Sequence, residues 1–293
     1  QYRDSKELLR FIKEDHKYSI DFNNDQKKLL NNYHKNNNVI TCITGIPGSG
    51  KTVLGAEISK RCLDKNEEAT VLIVIPNVRL VSFYKRYLLA NEIAEENIIE
   101  IVDYLHFRNG AIYITTFKNL IKLIEGKINY EPIQDESKII QLLKGSKYWG
   151  AIKSSFNDEK EVLDFYNAFF DENEELINYP DKDAFSPIYS DKFEKLGQYT
   201  KKYSQLFKDN GIATRKGIAY SFLKNLLSNK DNTLYSFTAA GNQLTIIVDE
   251  VQDLIGAEWR ALVDFCAEQI NKKNGIKLIF LGDEKQRVTV SGF

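Results

Sequence analysis

The segment Gly45-Ile46-Pro47-Gly48-Ser49-Gly50-Lys51-Thr52 constrains this chain more than any other stretch. It follows the β-branched run Val39–Thr44 and leads into Gly50–Asp64, whose Val53, Leu54, Ile58 and Leu63 suit a crossover helix. A strand that turns through glycines directly into a helix makes an anion cradle. Around Gly45, Pro47, Gly48, Ser49 and Gly50 the backbone N–H groups can turn inward, where a Cβ would obstruct. The positive end of the following helix points at the same anion. In this pattern Lys51 reaches the β and γ phosphates of a nucleoside triphosphate, and the Thr52 hydroxyl binds Mg²⁺.

The rest of the chain is organised around that strand. Val71–Ile75, Ile98–Val102 and Ala111–Thr115 are short, nearly continuous apolar runs, as parallel strands buried on both faces should be. Two more follow late, Leu244–Val248 and Lys277–Leu281, with a helix over Ala257–Ile270 between them. Another helix is expected after Pro76, with Leu80, Phe83, Tyr84, Tyr87 and Leu88 on one face. Strand–helix alternation of this kind predicts an α/β fold, a parallel sheet flanked by helices. The stretch 126–240 has hardly any β-type runs and many aromatics. It is acidic over Asp158–Asp183 and basic over Lys192–Lys230. It reads as a helical insertion splitting one ATP-binding domain into 1–125 and 241–293; solvated helix faces account equally well for its charge runs.

Two strand ends carry further chemistry. Leu244–Val248 delivers Asp249 and Glu250, a pair suited to holding Mg²⁺ (Asp249) and orienting the attacking water (Glu250). Lys277–Leu281 is followed by Gln286, whose amide is placed to touch the γ-phosphate.

Composition adds little about partners. Lys and Arg number 40 against 41 Asp and Glu, so no global charge advertises a nucleic acid. No apolar run approaches transmembrane length, and the first residues do not form a signal peptide, so a cytoplasmic protein without a membrane partner is expected. The three cysteines lack ligand spacing and read as reduced core residues. Methionine is absent even at position 1, so the first residue is not expected to be a native start.

Together these pieces resemble the superfamily-one helicases of the UvrD/Rep type. Asp249-Glu250-Val251-Gln252-Asp253 matches that family's D-E-x-Q-D signature, and Gly282-Asp283 with Gln286 its next motif. Asp21–Gln26 resembles the family's Q motif, which implies that Gln26 reads the adenine edge of ATP. Ile114–Leu120 resembles a strand-contacting motif, although Lys118 stands where a His is usual. Pro76-Asn77-Val78-Arg79 occupies another strand-contacting position, and Val288–Ser291 stand where the family carries aromatics. The resemblance implies a RecA-like motor half using ATP and Mg²⁺. It also implies a single-stranded nucleic-acid partner, DNA before RNA, touched by Asn77, Thr115, Thr116 and Phe117. A second RecA-like domain is expected beyond Phe293. Two other readings compete: a P-loop switch that controls an effector without walking on a strand, and a small-molecule kinase. The latter has little use for a Gln-bearing sensor strand.

Overall fold

The computed structural model describes residues 21–33, 39–101, 107–125, 136–170, 187–212, 214–228, 233–254, 256–272 and 275–283. Helix α1 (Asn24–Tyr33) leads to strand β1 (Ile40–Thr44), helix α2 (Lys51–Lys65), β2 (Thr70–Ile75) and α3 (Arg79–Ala90). Then come β3 (Ile98–Glu100), β4 (Ile112–Thr116) and α4 (Phe117–Glu125). After the helices between residues 136 and 239, the chain returns to the sheet as β5 (Leu244–Val248), α12 (Gly256–Asn271) and β6 (Ile276–Gly282). The six strands form one sheet in the order β1-β6-β5-β2-β4-β3, with every pairing parallel. The expected runs are all strands, shifted by a residue or two at their ends. Val102 lies outside the described residues.

Both faces of this sheet are covered, which explains why its strands are apolar throughout. Alternate residues feed opposite cores. Val71, Ile73 and Ile75 of β2, with Ile247 and Ile279, pack under Leu30 of α1, Leu54 and Ile58 of α2, and Tyr84 and Leu88 of α3. Leu72 and Val74, with Ile246, Val248 and Phe280, face the other way, onto Leu120 of α4 and Leu262 and Phe265 of α12. Each fully buried Ile, Leu or Phe contributes about 1.5–3 kcal/mol. One polar substitution in β2 or β5 would therefore threaten the sheet.

The described part of 126–240 is almost wholly helical. Helices α5 (Glu136–Gly145), α6 (Trp149–Ile152), α7 (Glu159–Phe169), α8 (Pro187–Gly197) and α9 (Thr200–Asp209) gather Ile139, Val162, Phe165, Leu196, Tyr203 and Phe207 into a third core of their own. Asp158 starts α7 in the usual way, accepting the Glu161 N–H at 2.8 Å. Helices α10 (Arg215–Ser228) and α11 (Thr233–Ala239) behave differently, because Phe222, Leu234 and Phe237 join the core under the sheet. The separate helical core thus ends by Ile212, and the chain from Arg215 onward packs against the strands.

Candidate nucleotide site

Strand register brings the carboxyl ends of β1, β6, β5, β2 and β4 to one edge, with Thr44 opposite Gly282 and Ile75 opposite Thr116. Ligands of open parallel sheets bind at this edge. Here the loop after β1 turns through Gly48 (φ 75°) and Gly50 (φ 81°), both in the left-handed region that a side chain disfavours. The Ser49 N–H bonds back to the Ile46 carbonyl at 3.1 Å and closes the loop. Lys51 opens α2 and is buried, its Nζ donating to the carbonyls of Gly45 (2.8 Å) and Ile46 (3.1 Å). No acidic residue occupies the first turn of α2, so its positive end is left for an anion.

Gln26 belongs to this loop rather than standing apart from it. Asn23 caps α1 by accepting the N–H of Asp25 (3.0 Å) and Gln26 (2.9 Å), and Gln26 Oε1 returns the bond by accepting the Asn23 N–H at 2.9 Å. That reciprocal pair is a capping box. The other end of the same amide, Nε2, donates to the Ser49 carbonyl at 2.8 Å. Both ends of the amide are thus engaged by the chain itself. The bond to Ser49 places Gln26 beside the phosphate loop.

Asp249 sits at the end of β5 with only 2% of its surface exposed. Its Oδ2 accepts from the Tyr84 hydroxyl at 2.9 Å and its Oδ1 from the Glu250 N–H at 3.0 Å, and the nearby Thr52 hydroxyl favours its charged form. Burial raises the Asp249 carboxyl above the ordinary aspartate value, against the pull of the neighbouring Tyr84 and Thr52 hydroxyls. Tyr84 is itself fully buried, and burial with the neighbouring Asp249 lifts its phenol well above the usual value. Glu250 adopts φ 51° and ψ 48°, a left-handed conformation that strains a non-glycine residue by roughly 1–2 kcal/mol. Its carboxylate accepts from Gln252 Nε2, while Gln252 Oε1 accepts the Asp283 N–H at 3.1 Å. Gln252 therefore ties the Asp249–Glu250 turn to the end of β6. The sequence marks Gln252 only as part of a motif, and nothing in it singles out Tyr84 as a neighbour of Asp249.

Thr52 and Asp249 place two hard oxygen donors near each other beside the phosphate loop, a set that fits Mg²⁺. Among the described residues no group of three or more His, Cys, Asp or Glu could hold a metal. Mg²⁺ keeps most of its waters and takes phosphate oxygens, so one or two protein oxygens suffice to hold it. Bound there, Mg²⁺ would neutralise charge on the β and γ phosphates. Gln286 lies outside the described residues.

The four residues expected to touch a strand divide. Asn77 is exposed at the start of α3, its Oδ1 accepting the Arg79 N–H at 2.9 Å. Thr115 is buried and donates to the Ile101 carbonyl at 3.1 Å. Thr116 is buried as well, and its Oγ1 accepts the Asn119 N–H at 3.1 Å in the first turn of α4. Phe117 packs edge-on against Phe222, with ring centroids 5.5 Å apart. The end of β4 and the start of α4 thus carry the last three at the carboxyl edge of the sheet, with their side chains buried.

A parallel sheet with a phosphate loop on β1 and an acidic pair on β5 defines a P-loop nucleoside-triphosphatase domain of the RecA-like kind. The AAA domain family matches residues 26–292, and the chain belongs to it. That membership bears out the superfamily-one helicase-like P-loop domain read from the motifs. No curated protein matches the chain. Among solved structures, one similar chain is a nuclease-deletion mutant of the Type ISP restriction-modification enzyme LlaGI in complex with a DNA substrate mimic. It shares 12% identity at a TM-score of 0.28; the match covers 89% of this chain and 44% of that one.

Proposed function

We propose that this chain is the ATP-binding and ATP-hydrolysing motor half of a nucleic-acid-dependent helicase or translocase. The observation that carries this reading is the convergence of Lys51, Thr52, Asp249 and Glu250 at one sheet edge, with Gln252 joining the acidic turn to β6. Lys51 leaves its carbonyl partners for the β and γ phosphates when ATP enters. Thr52 and Asp249 hold Mg²⁺. Glu250 orients and polarises the attacking water, and the strain in its backbone is consistent with a position kept for chemistry. Gln286 reports the γ-phosphate, and Gln26 couples the adenine side to the phosphate loop through Ser49. In this reading residues 1–125 and 241–293 form the ATP-binding domain and 126–240 the helical insertion, whose last helices α10 and α11 pack against the sheet core, and a second RecA-like domain beyond Phe293 supplies the arginine that completes the site.

Single-stranded nucleic acid, DNA before RNA, is the partner in this reading. Asn77 meets it directly at the exposed start of α3, while Thr115, Thr116 and Phe117 act through the backbone and shape of the β4 edge. The burial of those three side chains favours a second reading, a P-loop switch that uses ATP to control an effector without travelling along a strand. Steady-state ATPase of the full-length protein, with and without single-stranded DNA or RNA, separates the two. Turnover stimulated many-fold by a strand supports the motor. Turnover indifferent to any strand supports the switch.

A further inference from the structure

The Tyr84–Asp249 hydrogen bond joins two parts of the chain 165 positions apart at 2.9 Å. Tyr84 lies in the middle of α3, whose first turn follows the exposed Asn77. Its ring needs no hydroxyl to fill the core between α2, α3 and the sheet; a phenylalanine would pack there equally well. A buried hydroxyl without a partner is costly, so its presence calls for a specific acceptor, and the acceptor given is Asp249. The neighbouring helix makes room for it. At Gly55 of α2 a Cβ would lie 2.9 Å from the Tyr84 hydroxyl and 2.6 Å from Leu281 Cδ1, so even alanine would crowd the phenol.

The groups around the Asp249 carboxylate come from three elements: the nearby Thr52 hydroxyl from α2, the Glu250 N–H from the carboxylate's own turn, and the Tyr84 hydroxyl from α3. The first two belong to the phosphate loop helix and the acidic turn. Only the third comes from the helix that begins at the exposed edge. A displacement of α3 therefore reaches the carboxylate through a single rigid phenol.

We propose that Tyr84 is a positioning residue for the Asp249 carboxylate, setting how it meets Mg²⁺ and making that geometry answer to the placement of α3. This rests on the reading above that Asp249 serves the metal. Tyr84 touches no substrate atom and acts through Asp249 alone.

The test compares Tyr84→Phe with wild type in the full-length protein and uses Tyr87→Phe as a control. Tyr87 lies one turn along the same helix, and its hydroxyl donates to Glu57 at 3.0 Å, so its variant loses a tyrosine hydroxyl bond away from Asp249. Binding of a non-hydrolysable ATP analogue is measured by calorimetry in EDTA and across a Mg²⁺ series, and thermal midpoints are recorded for all three proteins. Loss of one hydrogen bond to a charged group predicts a Mg²⁺ half-saturation raised roughly 10–150-fold in Tyr84→Phe, with affinity in EDTA unchanged. Tyr87→Phe should match wild type in both. If Tyr84→Phe has a lowered midpoint but wild-type Mg²⁺ dependence, the hydroxyl is structural only and the proposal is overturned. If wild type binds the analogue equally with and without Mg²⁺, the assignment of Asp249 to the metal falls, and the proposal with it.

Discussion

Arg215 and Glu258 meet side by side, Nε 2.7 Å from Oε1 and Nη2 2.6 Å from Oε2. The same Nη2 donates to the Asp253 carbonyl at 2.8 Å, so one guanidinium holds α10, α12 and the end of the D-E-x-Q-D turn together. Glu258 is 5% exposed, whereas the Arg215 side chain retains 41%, and Glu258 also gains from the N-terminal end of α12. Next door, Lys216 donates its N–H to Asn167 and places its Nζ 3.9 Å from the Tyr166 ring centre. The helical core and the sheet core are thus joined at two consecutive residues.

Removing Arg215 takes from the buried Glu258 carboxylate both hydrogen bonds of this ion pair. Arg215→Ala is expected to destabilise the protein by ~2–3 kcal/mol, below the range for a fully buried pair because solvent screens the arginine. Adding Glu258→Gln should recover part of that loss. Denaturant midpoints of the two single variants and the double variant give the coupling directly, and strict additivity would show that the pair is not coupled.

Lys51 spends its charge on two loop carbonyls in the free protein. Lys51→Ala should leave the fold intact while weakening Mg·ATP by about 10–100-fold, as expected for losing charged hydrogen bonds to phosphate. Calorimetric titration checks it. Equal affinity for both proteins would remove the phosphate-site assignment.

Glu250 combines a strained backbone with the water-orienting role proposed for it. Glu250→Gln in the full-length protein should retain ATP binding and lower turnover at least ~100-fold. Glu250→Gly should lose turnover as fully yet melt no lower than wild type, because glycine accepts φ 51° freely. A substantial loss of stability in Glu250→Gly would mean that the side chain is structural.

Cys266 supplies a pH-dependent term. Burial pushes its thiol up to about 12, whereas in the unfolded chain it ionises near the ordinary cysteine value. A raised folded-state value means that the stabilisation is fully present at neutral pH. It is lost as pH rises from the unfolded value toward about 12. Relative to Cys266→Ala, wild-type stability should fall by an additional ~1.4 kcal/mol per pH unit across that window. Chemical denaturation at several alkaline pH values measures the difference, and parallel curves for the two proteins would refute it.

Much of this protein is written locally. The β-branched runs 39–44, 71–75 and 244–248 are strands because each is short, apolar and bounded by turn residues. Gly48 and Gly50 mark a phosphate loop because only glycine takes those angles without strain. Asp249 and Glu250 were legible as a pair because a strand end fixes where adjacent residues emerge. All of these signals lie within a few residues of one another.

What the fold alone decided depends on strand order, which no local pattern encodes. Placing β6 between β1 and β5 brought Asp283 to Gln252, and packing α3 over the sheet brought Tyr84 to Asp249. The same packing turned Thr115, Thr116 and Phe117 inward, because β4 is covered on both faces by helices whose positions are set elsewhere in the chain. Arg215, within a basic stretch that resembled a solvated helix face, became the partner of a buried glutamate 43 positions away. Burial and long-range pairing follow from which elements stack on one another, and that is a property of the whole folded chain.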